Sequence, residues 1–224
     1  MMRLAPTIAL LSILGISQTN AQTAQQKLDA AMDRLLGTLN VRSEPYLSDG
    51  KLWGCQLIFD ALHRDWTYRN GAIVKVSGSI GLMAPSASHG VGTTLKVVVL
   101  VAHPKTYELR PEAPTRAYLL GADYQTSLSG LVSSAPSDTP GGLFSVFQAE
   151  PAIDIIMQGV EVGRLTVAFN KAGGSSDIQI PLELDVYAVD DDGKRKRSNA
   201  ATDDFLKCSL ALLKAAKNLS AGEP

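Results

Sequence analysis

Residues 63–70 read His-Arg-Asp-Trp-Thr-Tyr-Arg-Asn, a letter-for-letter fit to the protein-kinase catalytic loop H-R-D-x-x-x-x-N. In that loop the Asp takes the proton of a substrate hydroxyl and the Asn holds a metal ion. The chemistry needs further parts. Between Gln22 and His63 there is no Gly-rich loop and no strand-borne Lys to hold a nucleotide, and no D-F-G or A-P-E follows downstream. The eight residues sit where an alternating apolar run gives way to Asn70-Gly71, a hairpin-turn signal. The kinase reading is rejected.

Other reactive residue types are present without a reactive spacing. His63, His89 and His103 are far apart, with no H-E-x-x-H and no neighbouring cysteine, so neither a metal nor a cofactor is expected. There is no G-x-S-x-G elbow. Ser88 to Thr94 is glycine-rich but lacks the G-K-[ST] ending that would hold a phosphate, and reads as a hairpin loop. Asp190 to Arg197 carries three acids and then four bases. It has Ala188 where a calcium loop needs its first ligand, and its neighbouring opposite charges cancel most of its field. It reads as a solvated turn around Asp192-Gly193. The enzymatic alternative is a hydrolase-type site assembled from residues such as Asp60, His63 and Asp65. No catalytic residue is assigned.

The two cysteines, Cys55 and Cys208, have no C-x-x-C spacing and no nearby general base such as His to activate a thiol. A bond between them would close a loop of about 150 residues, worth roughly 5 kcal/mol in the chain-entropy model. Such a bond needs an oxidising compartment, and the start of the chain supplies the reason to expect one. Met1-Met2-Arg3, an apolar run from Leu4 to Ile16 and a small residue at Ala21 have the form of a secretory signal peptide cleaved after Ala21. We therefore expect a structural disulfide in a periplasmic or secreted protein. The apolar run is too short to span a bilayer, and no later run is long enough.

A mature chain from Gln22 to Pro224, about 200 residues, suits one well-buried domain. Losing Arg3 takes the formal charge from −1 to −2, which argues against a nucleic-acid partner. Residues 22–40 read as a helix in which Leu28, Ala31, Met32, Leu35, Leu36 and Leu39 line one face. Residues 52–189 switch to period two. Expected strands cover residues 52–62, 72–83, 93–103, 116–120, 143–148, 152–157, 164–169 and 178–188, with Pro181 marking an edge or bulge. Pro104–Pro114 and Ser133–Gly142 read as surface connections. Residues 203–219 form a second helix, with Thr202 as N-cap and Phe205, Cys208, Leu212, Ala216 and Leu219 along its buried side. The expected fold is α+β, mainly antiparallel β in a sandwich or open barrel, with both helices packed on the sheet.

Gly163-Arg164-Leu165-Thr166-Val167-Ala168-Phe169-Asn170 and Asp177-Ile178-Gln179-Ile180-Pro181-Leu182-Glu183-Leu184 carry a G-x-x-L-x-V-x-F … I-x-I-P-L-x-L rhythm. This resembles the final hairpin of the invasion-associated locus B proteins, which are exported by bacteria. Phe205-Leu206-Lys207-Cys208 is similar to the closing F-x-x-C helix of other exported bacterial proteins. The resemblance covers about a fifth of the chain and implies a role at the envelope or host surface, with no site residues. The expected function is a non-enzymatic binding domain for an envelope protein or small ligand. An assembly factor acting through its N-terminal helix is a further alternative.

Overall fold

Apolar residues alternating along Lys51–Asp65 put Cys55, Leu57, Phe59 and Ala61 on one face, all at most 1 % exposed. The same alternation recurs in its neighbours, and the strands assemble around it. The computed structural model describes residue 24 and residues 26–86, 90–103, 105–106, 108–123 and 125–221. The proposed signal peptide and His89 lie outside the described residues.

In chain order the elements are α1 (26–34), β1 (Gly37–Ser48), β2 (Lys51–Asp65), β3 (Ala72–Ser86), β4 (Gly90–Ala102), β5 (Leu109–Pro111), β6 (Ala117–Leu120), β7 (Leu131–Pro136), β8 (Gly142–Phe147), α2 (Ala149–Val162), β9 (Arg164–Asn170), β10 (Asp177–Glu183), β11 (Val186–Val189), β12 (Arg195–Arg197) and α3 (Ala200–Ala221). A large antiparallel sheet runs β1-β2-β3-β4-β8-β7, with β5 also on β4. A smaller sheet runs β10-β9-β6, and β11 and β12 form a hairpin. The fold is α+β, and the sheets do not close into a barrel.

The inner face of the large sheet meets the small sheet, α2 and α3 in one core. Leu57, Phe59, Val76, Leu95 and Val97 pack in the same cluster as Val167, Phe169, Ile180, Leu182, Ile155, Ile156, Phe205 and Leu212. Each such side chain contributes about 1.5–3 kcal/mol on full burial. Pro181 is opposite Thr166 on the edge strand β10, where a missing amide donor breaks no ladder bond.

Five expectations need correction. The N-terminal helix stops at residue 34, and Leu39 belongs to β1. Gly37, at φ 106, turns the chain, and the Arg195 guanidinium donates to the Leu36 and Thr38 carbonyls on either side of it. The apolar set survives that break: Met32, Leu35, Leu36 and Leu39 all pack on Leu62, Ile73 and Ala102. Residues 152–157 are helical, not a strand. The buried positions of α2 are Ala152, Ile155, Ile156, Gly159 and Val160, a helical period that β-branched composition disguises. Gly163, in the left-handed region, ends it by donating to the Gly159 and Val160 carbonyls.

The run 178–188 is two strands, because the chain turns at Leu184-Asp185 and Val186 pairs with Arg197. Both expected loops contain strand, β7 in one and β5 in the other, so only Ser137–Gly141 remains as the turn before β8. Finally, α3 starts at Ala200, with the Asn199 carbonyl accepting from the Asp203 amide; Thr202 lies inside the first turn, where its hydroxyl donates to that carbonyl. Phe205 and Leu212 are buried in the core and Cys208 is partly buried against it, Ala216 is only half-buried, and the side chain of Leu219 lies outside the described residues.

Candidate functional site

The outer face of the large sheet is covered at one end by α1, through the packing of Met32, Leu35 and Leu36 on Leu62, Ile73 and Ala102. At the other end, among the described residues, an apolar trough of about 540 Å³ is open to solvent. Met83, Val91, Thr94, Val132, Phe144 and Val146 line it. A smaller depression of about 140 Å³ extends it toward β1, past Gly81, Ser79 and Tyr46, and shares Met83, Thr94 and Phe144 with it.

The trough follows from strand register. Gly81 is opposite Thr94, Thr94 is opposite Val146, and Met83 is opposite Gly92. Small residues in the middle strands are thus bordered by large ones, which hollows the surface. At Gly92 a Cβ would meet only the Phe147 carbonyl oxygen, at 3.5 Å, so a side chain there would project into the hollow. Among the described residues, none that lines the trough carries an ionisable side chain. The nearest charge on β4, Lys96, is engaged by Asp138 at 2.6 Å and Thr139 at 2.8 Å. That contact holds the exposed Asp138 carboxyl below its usual range, the Lys96 hydrogen bond being the main cause. Volume and lining are those of a site that receives an apolar body.

The kinase-like stretch forms a structural turn. Asp65 is 0 % exposed, and its Oδ1 accepts from the Thr67 amide at 2.8 Å and the Tyr68 amide at 3.0 Å. Its Oδ2 accepts from Arg69, whose other nitrogen donates to Glu112. Burial opposes the charge on Arg69, but the hydrogen bonds to Glu112 and Asp65 outweigh it and raise the guanidinium pKa. Asp65 therefore caps a turn and neutralises a buried cation. Asn70, at φ 48, and Gly71 close the loop, and the Tyr68 hydroxyl bridges to the backbone of Ser176. Nearby, Arg116 and the Tyr118 hydroxyl both donate to Asp177, at 2.6 and 3.0 Å. The Tyr118 phenol is pushed up by burial and then by Asp177.

Asp60, His63 and Asp65 do not converge. Asp60 belongs to the outer face, where it accepts from Ser77 at 2.6 Å and pairs with Lys75 at 3.3 Å. His63 and Asp65 lie at positions of opposite parity on the same strand, which point the other way. Burial lowers the His63 pKa, with Asp65 pulling it up to a smaller extent. His103 accepts the Lys105 and Thr106 amides at Nδ1, a turn-forming role. Asp190 accepts from the Asp192 and Lys194 amides and shapes the β11–β12 turn. Of the bases that follow, Arg195 donates to the carbonyls that flank Gly37 between α1 and β1, and Arg197 pairs with Glu183 and Asp185.

Cys55 and Cys208 are bonded, with Cα atoms 5.8 Å apart, joining β2 to α3. The chain has no other cysteine. Trough residues escaped the sequence reading because they come from separate strands. Their signal was glycine at outer-face strand positions, Gly81 and Gly92, beside the half-buried Phe144 and Val146 of β8. Comparison with protein-family models, with curated proteins and with solved structures gives no match to this chain.

Proposed function

We propose that the protein is an exported, non-enzymatic binding domain of the bacterial cell envelope, and that its ligand is a long acyl chain held in the outer-face trough. The observation that carries this reading is the trough itself: about 540 Å³, uncharged, apolar-walled and open at the surface. The Cys55–Cys208 bond supports an oxidising compartment. The likeness of the β9–β10 hairpin to the invasion-associated locus B proteins supports an envelope setting.

Magnitudes select the ligand class. Burying a methylene yields about 0.8 kcal/mol. Association costs at least about 4 kcal/mol, and a micromolar complex needs about 8 kcal/mol net. Roughly fifteen buried methylenes are therefore required, which a short metabolite does not supply and a long acyl chain does. Gln148 of the trough, Gln56 of the smaller depression and Thr94 between them are hydrogen-bonding groups for a polar head.

The test is titration with a fluorescent long-chain fatty acid. Saturable binding is expected in the wild type. Gly92→Leu should abolish it, since the new side chain enters open space and leaves the fold intact by circular dichroism. Undiminished binding in Gly92→Leu, or no saturable binding in the wild type, refutes the reading.

A further inference from the structure

The C-terminal helix carries a second apolar stripe that its own domain does not use. Phe205, Ser209 and Leu212 of α3 are buried against the sheet, and Cys208 is bonded to β2. On another face, Asp203, Leu206, Leu210, Leu213 and Lys217 follow one another at spacings of three, four, three and four residues. That is the rhythm of a seam between two helices. Leu210 is 58 % exposed and Leu213 45 %, and Leu206 is only partly buried. A helix that packs on its own sheet has no need of such a stripe; its solvent side is ordinarily polar.

Charge along the stripe names the occupant. Its N-terminal end is acidic, at Asp203, and no acid occurs between Phe205 and Ala221, where Lys207, Lys214 and Lys217 lie. Lys207 is paired with Asp204 at 3.2 Å, off the seam. The groove beside Leu206 continues the acidic end, Glu161, Glu183, Asp185 and Asp203 outnumbering Arg164 and Arg197 along it, and Met157 and Val162 of α2 add exposed apolar surface to it. One end of the surface is apolar and acidic, and the other apolar and basic. Such a surface is complementary to itself turned end for end. Asp203 and Lys217 are equidistant from Leu210 along the helix, so a two-fold axis near Leu210 sets each Asp203 opposite Lys217 of the second copy. Antiparallel alignment also opposes the helix dipoles favourably.

We propose that the protein forms a two-fold symmetric homodimer through antiparallel pairing of α3, with Leu206, Leu210 and Leu213 as the apolar centre and Asp203–Lys217 contacts at both ends. An isologous contact of this kind closes on itself and stops at two copies. Because α3 lies on the inner side of the large sheet, the dimer leaves the outer-face trough open, and the proposal stands independently of the acyl-chain reading.

The test is sedimentation velocity of the oxidised full chain over a range of concentrations. The wild type is expected to show a concentration-dependent dimer. Leu210→Glu should give monomer throughout with an unchanged circular dichroism spectrum, its position being exposed in the single chain. Asp203→Lys alone and Lys217→Asp alone should each weaken the dimer, and the two together should restore it by exchanging the charges. Leu210→Cys should form an intermolecular disulfide spontaneously, while Ala215→Cys, on another face of the helix, should not. A wild type that stays monomeric at every concentration overturns the proposal. So does a dimer that survives Leu210→Glu, or one that the double charge exchange fails to restore.

Discussion

Replacing Asp65 separates a structural turn from a catalytic one. In the folded chain this carboxylate is fully buried and accepts two backbone amides as well as the Arg69 guanidinium, whose side chain is 8 % exposed. Removing one partner of a buried ion pair costs about 3–5 kcal/mol. Arg69 retains Glu112, which is 39 % exposed, so the lower end applies here. The Thr67 and Tyr68 amides lose their acceptor but are within reach of water, adding about 0.5–1 kcal/mol in total. Asp65→Ala is therefore expected to destabilise by about 4 kcal/mol. Asp65→Asn keeps an oxygen for the amides but turns an NH2 donor toward the Arg69 guanidinium, so the ion pair is still lost and about 3 kcal/mol is expected.

For a chain of this size about 4 kcal/mol corresponds to a fall in Tm of about 8–16 °C. Urea unfolding should show a lower midpoint with an unchanged slope. The double variant Asp65→Asn/Arg69→Met should cost clearly less than the sum of its parts, because the two side chains share one interaction. An Asp65→Ala protein within about 0.5 kcal/mol of wild type would refute the assignment, and would leave the carboxylate free for another role.

Two further outcomes follow from the same geometry. Replacing both Cys55 and Cys208 by Ala opens a loop with a sequence separation of 153 and should cost about 2–5 kcal/mol; stoichiometric thiol labelling of the native protein would contradict the bond. For His63 the folded-state pKa lies below its ordinary 6.5, chiefly through burial. The unfolded chain thus binds the proton first: His63 contributes stability that is complete above about pH 6.5 and is lost as pH falls through the folded-state value. His63→Gln should flatten urea midpoints between about pH 5 and 7, and an unaltered slope would show that the imidazole does not titrate differently on folding.

How much could be read from the residues depended on how local each signal was. Alternation in β2, β3, β4 and β10 located those strands because each buries one face, and a period of two persists through sequence without knowledge of partners. Cys208 was placed on the buried side of its helix by the same logic at period 3.6. The α2 helix was missed because Ile153, Ile155 and Ile156 look like strand composition, and the decisive positions, Ala152 and Gly159, are small and weakly patterned. The end of α1 was missed because apolar residues continue beyond it; only Gly37, and a guanidinium contributed by Arg195 from far along the chain, mark the stop. The trough lay beyond sequence reading for a topological reason: β4 pairs with β8 after a long excursion through β5, β6 and β7, so Thr94 and Val146 become neighbours only through the fold.

The disulfide and the bare end of the large sheet are mechanically related. Where α1 covers the outer face, the sheet has packing on both sides. At the trough it has packing on the inner side alone, and solvent reaches Met83, Phe144 and Val146 from the other. The bond anchors β2 at this thinly supported end: Cys55 is paired with Pro45 on one flank and Leu82 on the other, the immediate neighbours of Tyr46 and Met83, which line the hollow. A covalent tie from α3 restrains three strands from beneath, so the upper surface can stay uncovered without a second layer to hold its register. Uncovered apolar surface is ordinarily a liability for stability and for aggregation, and an inner-side restraint lets a sheet keep such a surface in register.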